Sequence, residues 1–109
     1  EFCDCMKPLQ ARIAKMVEQY EAAVNYVKEA GNQDLHDFLG RRLYDMTAEI
    51  IMSLLIIGDA SRAPELFQKS ANVYVRMAEE DVAGKAAYVT SLTADDLASF
   101  RAVEAAAAE

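Results

Sequence analysis

Turn-forming residues are scarce in this sequence. Gly 4 and Pro 2 make six in 109 residues, about half the average usage. A β-sandwich or barrel needs a turn roughly every ten residues, so both are excluded. Long apolar runs are also missing. The longest, Ile50 to Ile57, is interrupted by Ser53, whereas a membrane-spanning helix needs roughly 20 apolar residues. Positive charge is in deficit, with Lys+Arg 11 against Asp+Glu 18 and a net charge of -7. No basic patch relieves it, and the resulting field repels phosphate backbones and anionic headgroups, so no nucleic acid and no membrane partner is expected. Cysteine is limited to Cys3 and Cys5, histidine to His36. The two cysteines stand too close for an ordinary structural disulfide and read as two thiols at a loose end. That suits a reducing compartment, and no signal-peptide pattern precedes them, so a soluble, cytoplasmic protein is expected. The sequence opens on Glu1 rather than Met, which suggests a piece of something longer.

Hydrophobic residues at 53% and charged residues at 27% suffice for one folded core, and the length suits a single domain over residues 1–109. The expected fold class is all-α: an up-down helical bundle of three long helices and one short C-terminal helix, joined by connections of three to six residues. The first helix begins near Pro8 and stops at Gly31, with Leu9, Ile13, Met16, Tyr20, Val24 and Val27 as its apolar stripe and a drift at Ala23. The second starts after Gly31-Asn32-Gln33-Asp34 and runs to Gly58 or Asp59, on a stripe of Leu35, Leu39, Leu43, Met46, Ile50, Leu54 and Ile57. Asp59 to Pro64 is the expected connection. The third helix, Pro64 to Thr90, alternates large and small residues through Phe67, Ala71, Val75, Ala78, Val82, Ala86 and Val89. Asp81 and Lys85 form a pair four apart, and Gly84 weakens the helix without evident reason. Thr93-Ala94-Asp95-Asp96 starts the fourth helix, anchored by Leu97, Phe100 and Val103, with a fraying Ala105 to Ala108 tail.

Reaction chemistry finds little to stand on. His36 has no Glu-x-x-His partner, so a bundle metal site is not supported and the residue reads as first-turn surface. The serines lack a base beside them, and the four glycines are isolated, so there is neither nucleophile elbow nor phosphate cradle. Glu49 is the one carboxylate embedded in an apolar run; a raised-pKa base is conceivable, but its flank position reads as bundle edge. The five methionines, Met6, Met16, Met46, Met52 and Met77, read as core filler. No catalytic, cofactor-binding or metal-ligating residue is assigned.

A second stripe runs on the far side of the second helix: Tyr44, Ala48, Ile51 and Leu55, with Met52 flanking. A bundle needs one apolar face per helix, so this strip is surplus. Either the short fourth helix folds across it, or it is an interface.

The segment Thr47-Ala-Glu-Ile-Ile-Met-Ser-Leu-Leu-Ile-Ile-Gly-Asp-Ala60, followed by Pro64-Glu-Leu-Phe-Gln-Lys-Ser-Ala-Asn-Val-Tyr-Val-Arg-Met77, resembles the C-terminal helical extension of the acyl-CoA dehydrogenase family. The likeness continues from Glu79 to Leu97 and loosely over the first helix. It implies an accessory domain, at the C-terminus of a longer flavoenzyme, that packs against the catalytic body or a second copy of itself. The parent reaction would be FAD-dependent α,β-dehydrogenation of an acyl-CoA thioester, the flavin being held upstream, with no cofactor in this fragment and no activity of its own. The alternative is a freestanding helical protein-protein interaction module.

Overall fold

A computed structural model describes residues 2–100, and these are helical almost throughout. A short 3-10 turn, Asp4–Met6, leads into α1 (Lys7–Ala30), α2 (Gln33–Arg62) and α3 (Pro64–Ser91), and a fourth helix, α4, occupies 94–100. The three long helices contact one another pairwise. Val103 and the alanine tail lie outside the described residues.

Each boundary has a local cause. Pro8 sits in the first turn of α1, and Gly31 ends the helix in the left-handed conformation (φ 60) with its N–H on Lys28 O, a geometry that costs a residue without Cβ little. Asn32 caps α2 by accepting from the Leu35 N–H at 3.0 Å. At α4, the Thr93 hydroxyl accepts from the Asp96 N–H at 3.1 Å while Asp96 accepts from the Thr93 N–H at 3.0 Å, a reciprocal cap that satisfies two otherwise unpaired donors.

The end of α2 departs from expectation. The helix passes Gly58 and Asp59 and continues to Arg62, so the connection to α3 is Ala63 alone. The stop is set by Pro64, whose ring excludes the helical conformation for the residue before it; Ala63 accordingly sits at φ -142, ψ 72. Arg62 braces the last turn through a 2.6 Å contact with Asp59. The other connections are also shorter than the three to six residues expected: Gly31 and Asn32, then Leu92 and Thr93.

The core follows the stripes with specific exceptions. On α1 the drift is resolved by Ala23, which is buried while Tyr20 and Val24 are partly so. On α2 the buried run is Leu35, Leu39, Met46, Ile50, Ser53, Ile57 and Ala60. Ser53 thus takes the place expected for Leu54, which is exposed, and Leu43 is only half-buried. On α3 every expected position is buried except Phe67. Alternation of alanine and valine there lets two neighbouring helices approach closely. Tyr26 ties α1 to the end of α3 by donating its hydroxyl hydrogen to Leu92 O.

The N-terminal segment is not a loose end. Cys3 and Cys5 are joined as a disulfide with Cα atoms 5.4 Å apart, within the usual range for such a bridge. The 3-10 turn at Asp4 folds the chain back enough to bring them together. Met6 is fully buried, Phe2 and Cys3 pack on the core, and the Cys3 N–H donates to Ser61 Oγ at 3.1 Å. The cysteines therefore give no support to a reducing compartment.

Candidate functional site: the outer faces of α2 and α3

The strip on α2 is solvent-facing. Relative exposure ranges from 50% for Ile51, with Met52 and Leu55 between, to 71% for Tyr44; Ala48 is half-buried. At 100° per residue these positions fall opposite Met46, Ser53 and Ile57, which fill the core. The fourth helix does not cover them. Phe100 meets Phe38 with ring centroids 6.2 Å apart, and Leu97 is buried, so the described part of α4 lies near the start of α2. The intramolecular account of the strip therefore fails for the described residues. Met52 and Met77 are likewise exposed rather than core filler.

Between α2 and α3 runs an open groove of about 450 Å³ lined by Ile56, Val73, Tyr74 and Met77, with Lys69 and Ser70 as its polar members. The seam continues past this groove toward α4. Near α4, the Arg42 guanidinium lies over the Tyr88 ring, 4.2 Å from its centre, and 5.9 Å from that of Phe38, a cation-π contact that holds the two helices together.

In the same seam the structure assembles a charge cluster. Lys85 contacts Asp81 one turn back on α3, as expected, and also reaches across to Glu49 Oε1 on α2 at 3.5 Å. The second oxygen, Glu49 Oε2, is buried with no donor to accept from. Its neighbour is the Asp81 carboxylate, another acceptor, so only a proton held by one of the two makes a bond between them. Burial first, and then the hydrogen bond and charge of Asp81, push the Glu49 carboxyl up to about 7 against the opposing pull of Lys85. Asp81 is shifted down by its hydrogen bonds with Glu49 and Lys85. Lys85 is shifted up by Asp81, and Tyr74 is raised by burial and then by the two carboxylates. Below about pH 7 these directions fit a protonated Glu49 donating to an ionised Asp81 that also holds Lys85.

Glu49 is therefore more than a bundle-edge residue. The sequence signal was its place in an apolar run; what the sequence could not show is that Asp81 and Lys85 arrive opposite it on α3. His36, by contrast, is exposed near the α2 start with Asp37 beside it. Among the described residues no three His, Cys, Asp or Glu side chains gather in a way that could hold a metal ion, and no helix is long and apolar enough to cross a membrane.

Comparison with known proteins places the chain. Residues 1–97 match the family described as Acyl-CoA dehydrogenase C terminal. No curated protein sequence matches it. Among solved structures it is similar to an acyl-CoA dehydrogenase family protein from Porphyromonas gingivalis, with 30% sequence identity and a TM-score of 0.78, over 84% of this chain and 78% of that one. The chain thus belongs to the acyl-CoA dehydrogenase C-terminal family.

Proposed function

We propose that this chain is an accessory helical domain of a flavin-dependent acyl-CoA dehydrogenase and that it docks on the catalytic body of that enzyme through the α2 strip. The parent reaction is the α,β-dehydrogenation of an acyl-CoA thioester. The chain supplies packing surface rather than reacting groups.

The observation that carries this reading is the strip itself, on a chain of this family. Tyr44, Ile51, Met52 and Leu55 are left in water at an estimated 1.5–3 kcal/mol per large side chain, and nothing among the described residues covers them. A protein that keeps such a strip uses it for contact with another surface.

The residues described here do not fit a flavin. Its pyrophosphate calls for free backbone N–H groups at a glycine-rich helix start. The starts of α2 and α4 are closed by Asn32 and Thr93, and α3 begins with Pro64 and the acidic Glu65. Gly31 lies at a helix C-terminus, where carbonyl groups point outward. The flavin is accordingly assigned to the catalytic body, and no step of the reaction is routed through this chain. A cytoplasmic location accompanies that assignment, without support from the disulfide-bonded cysteines.

The test begins with the reading frame. It should continue several hundred codons upstream of Glu1 through acyl-CoA dehydrogenase sequence. In that full-length enzyme Ile51→Glu with Leu55→Glu should leave this domain helical while releasing it from the body, read as protease sensitivity at the junction. A short frame favours the freestanding interaction module, and unfolding of the domain by the double substitution would make the strip core.

A further inference from the structure

The N-terminal turn carries chemistry that the α2 strip does not use. Cys3 and Cys5 are bridged across Asp4 alone, a sequence separation of 2. The chain entropy that a bridge removes from the unfolded state grows with the length of chain it closes, and this bridge closes almost none. The three long helices contact one another pairwise without it. Breaking the bond therefore leaves the bundle standing. Its two ends are unequally placed: Cys3 is half-buried and packs on the core, with its N–H on Ser61 Oγ, whereas Cys5 is exposed. The sequence has no third cysteine, so a thiol that exchanges with the bridge comes from outside the chain.

We propose that Cys3 and Cys5 form a thiol–disulfide exchange site for low-molecular-weight monothiols, in which Cys5 is the sulfur attacked and Cys3 is the sulfur that leaves and later restores the bridge.

Exchange requires that one sulfur be open to an incoming thiolate and the other be able to depart. The exposure of Cys5 supplies the opening. Lys7, 3.2 Å from the Asp4 carboxylate, partly offsets the negative charge that an incoming thiolate meets between the two cysteines. A thiolate RS⁻ attacks Cys5 Sγ. The new S–S bond forms as the bond to Cys3 breaks, and the electron pair leaves on Cys3 Sγ, which takes a proton from solvent. A second thiolate attacks the R sulfur of the mixed disulfide, RSSR departs, and Cys5 Sγ is protonated in turn. The bridge has then gained two electrons and two protons, and two thiols have lost them as RSSR. In the opposite direction Cys5 takes RS from RSSR, and the Cys3 thiolate attacks Cys5 Sγ, expels RS⁻ and closes the bridge. Cys3 suits this second part because its packing on the core screens it from thiols in solution, while its place two residues from Cys5 keeps it within reach.

Incubation of the purified 109-residue chain in glutathione buffers from oxidised to reduced, quenched with acid and read by alkylation and mass, tests the assignment. The bridge should open and close reversibly with buffer composition while far-UV dichroism stays unchanged. Under oxidised glutathione, Cys3→Ser should accumulate the mixed disulfide on Cys5. Cys5→Ser should form it on Cys3 about tenfold or more slowly, and the parent chain should hold it only in traces. A bridge that excess reduced glutathione leaves intact until the chain unfolds is a structural staple and overturns the proposal. Equal reaction of Cys3 and Cys5 in the two variants overturns the assignment of roles. Loss of helical signal on reduction also counts against the proposal, since the bond would then hold the fold. A mixed disulfide that persists in the parent chain does so too, because Cys3 would not be restoring the bridge.

Discussion

Replacing Glu49 by glutamine removes one ionisation from the α2–α3 seam and leaves the shape. The amide oxygen can still accept from Lys85, and the amide N–H₂ can donate to Asp81, the role the Glu49 proton has in the parent chain. With a carboxyl raised from 4.5 to about 7 in the fold, the native state holds this proton more tightly than the unfolded chain does. The stabilisation it brings is complete below about pH 4.5 and is lost as pH rises through 7. The full shift corresponds to roughly 3 kcal/mol; the group keeps contact with solvent, which reduces this to about 1–2 kcal/mol. Asp81 does not offset the effect, because its lowered pKa acts only below its ordinary value. The other groups facing Glu49 are Tyr74 and Lys85, which do not titrate in this window. Asp45, one turn back on α2, is tied to Arg41 at 3.5 Å. Urea unfolding at pH 5.5 and pH 8 measures the difference. Part of the effect is already gone at pH 5.5, so the parent chain should lose about 1 kcal/mol between the two relative to Glu49→Gln, equivalent to roughly 5 °C in Tm for a domain of this size. His36 is present in both proteins and cancels. Parallel pH dependences for the parent chain and Glu49→Gln would refute the buried-proton account.

Other consequences are checked separately. Ile51→Glu with Leu55→Glu should cost the isolated chain no more than about 2 kcal/mol of unfolding free energy, since each side chain is at least half exposed and only the buried part is lost; a larger loss in a urea titration would make the strip core. Thr93→Ala removes one half of the α4 cap and should cost about 1 kcal/mol, seen as faster amide exchange over residues 94–100 with the long helices unchanged. Cys3 and Cys5 should take up a thiol label only after reduction, and labelling of the native unreduced chain would show that the bridge is absent.

Helix number, order and type were legible in the sequence because each helix has a period-3.6 stripe and a marked start: Pro8, Asn32, Pro64 and Thr93. The burial of Ala71, Val75, Ala78, Val82, Ala86 and Val89 follows from that period. What the sequence hid were choices between neighbouring residues on one helix face. Leu54 and Ser53 are adjacent, and intrinsic hydrophobicity favours Leu54; the direction of α1 and α3 from α2 favours Ser53. Gly58 looked like a stop because glycine often ends helices, but the stronger restriction came from Pro64 acting on Ala63. The site was half visible. Tyr44, Ile51 and Leu55 show as surplus from spacing alone, whereas the cluster of Glu49, Asp81 and Lys85 depends on the register of two antiparallel helices, which no local pattern encodes.

The α2 strip spans Tyr44 to Leu55 on the helix face opposite Met46, Ser53 and Ile57, so a surface that covers it need not disturb the core. Under the proposed docking, charged substitution at Ile51 and Leu55 would free the catalytic body and leave this domain folded. The Glu49, Asp81 and Lys85 cluster lies instead in the seam of α2 with α3, so Glu49→Gln should leave docking unchanged. Release of the body by Glu49→Gln, measured as protease sensitivity at the junction, would move the contact from the strip to the seam.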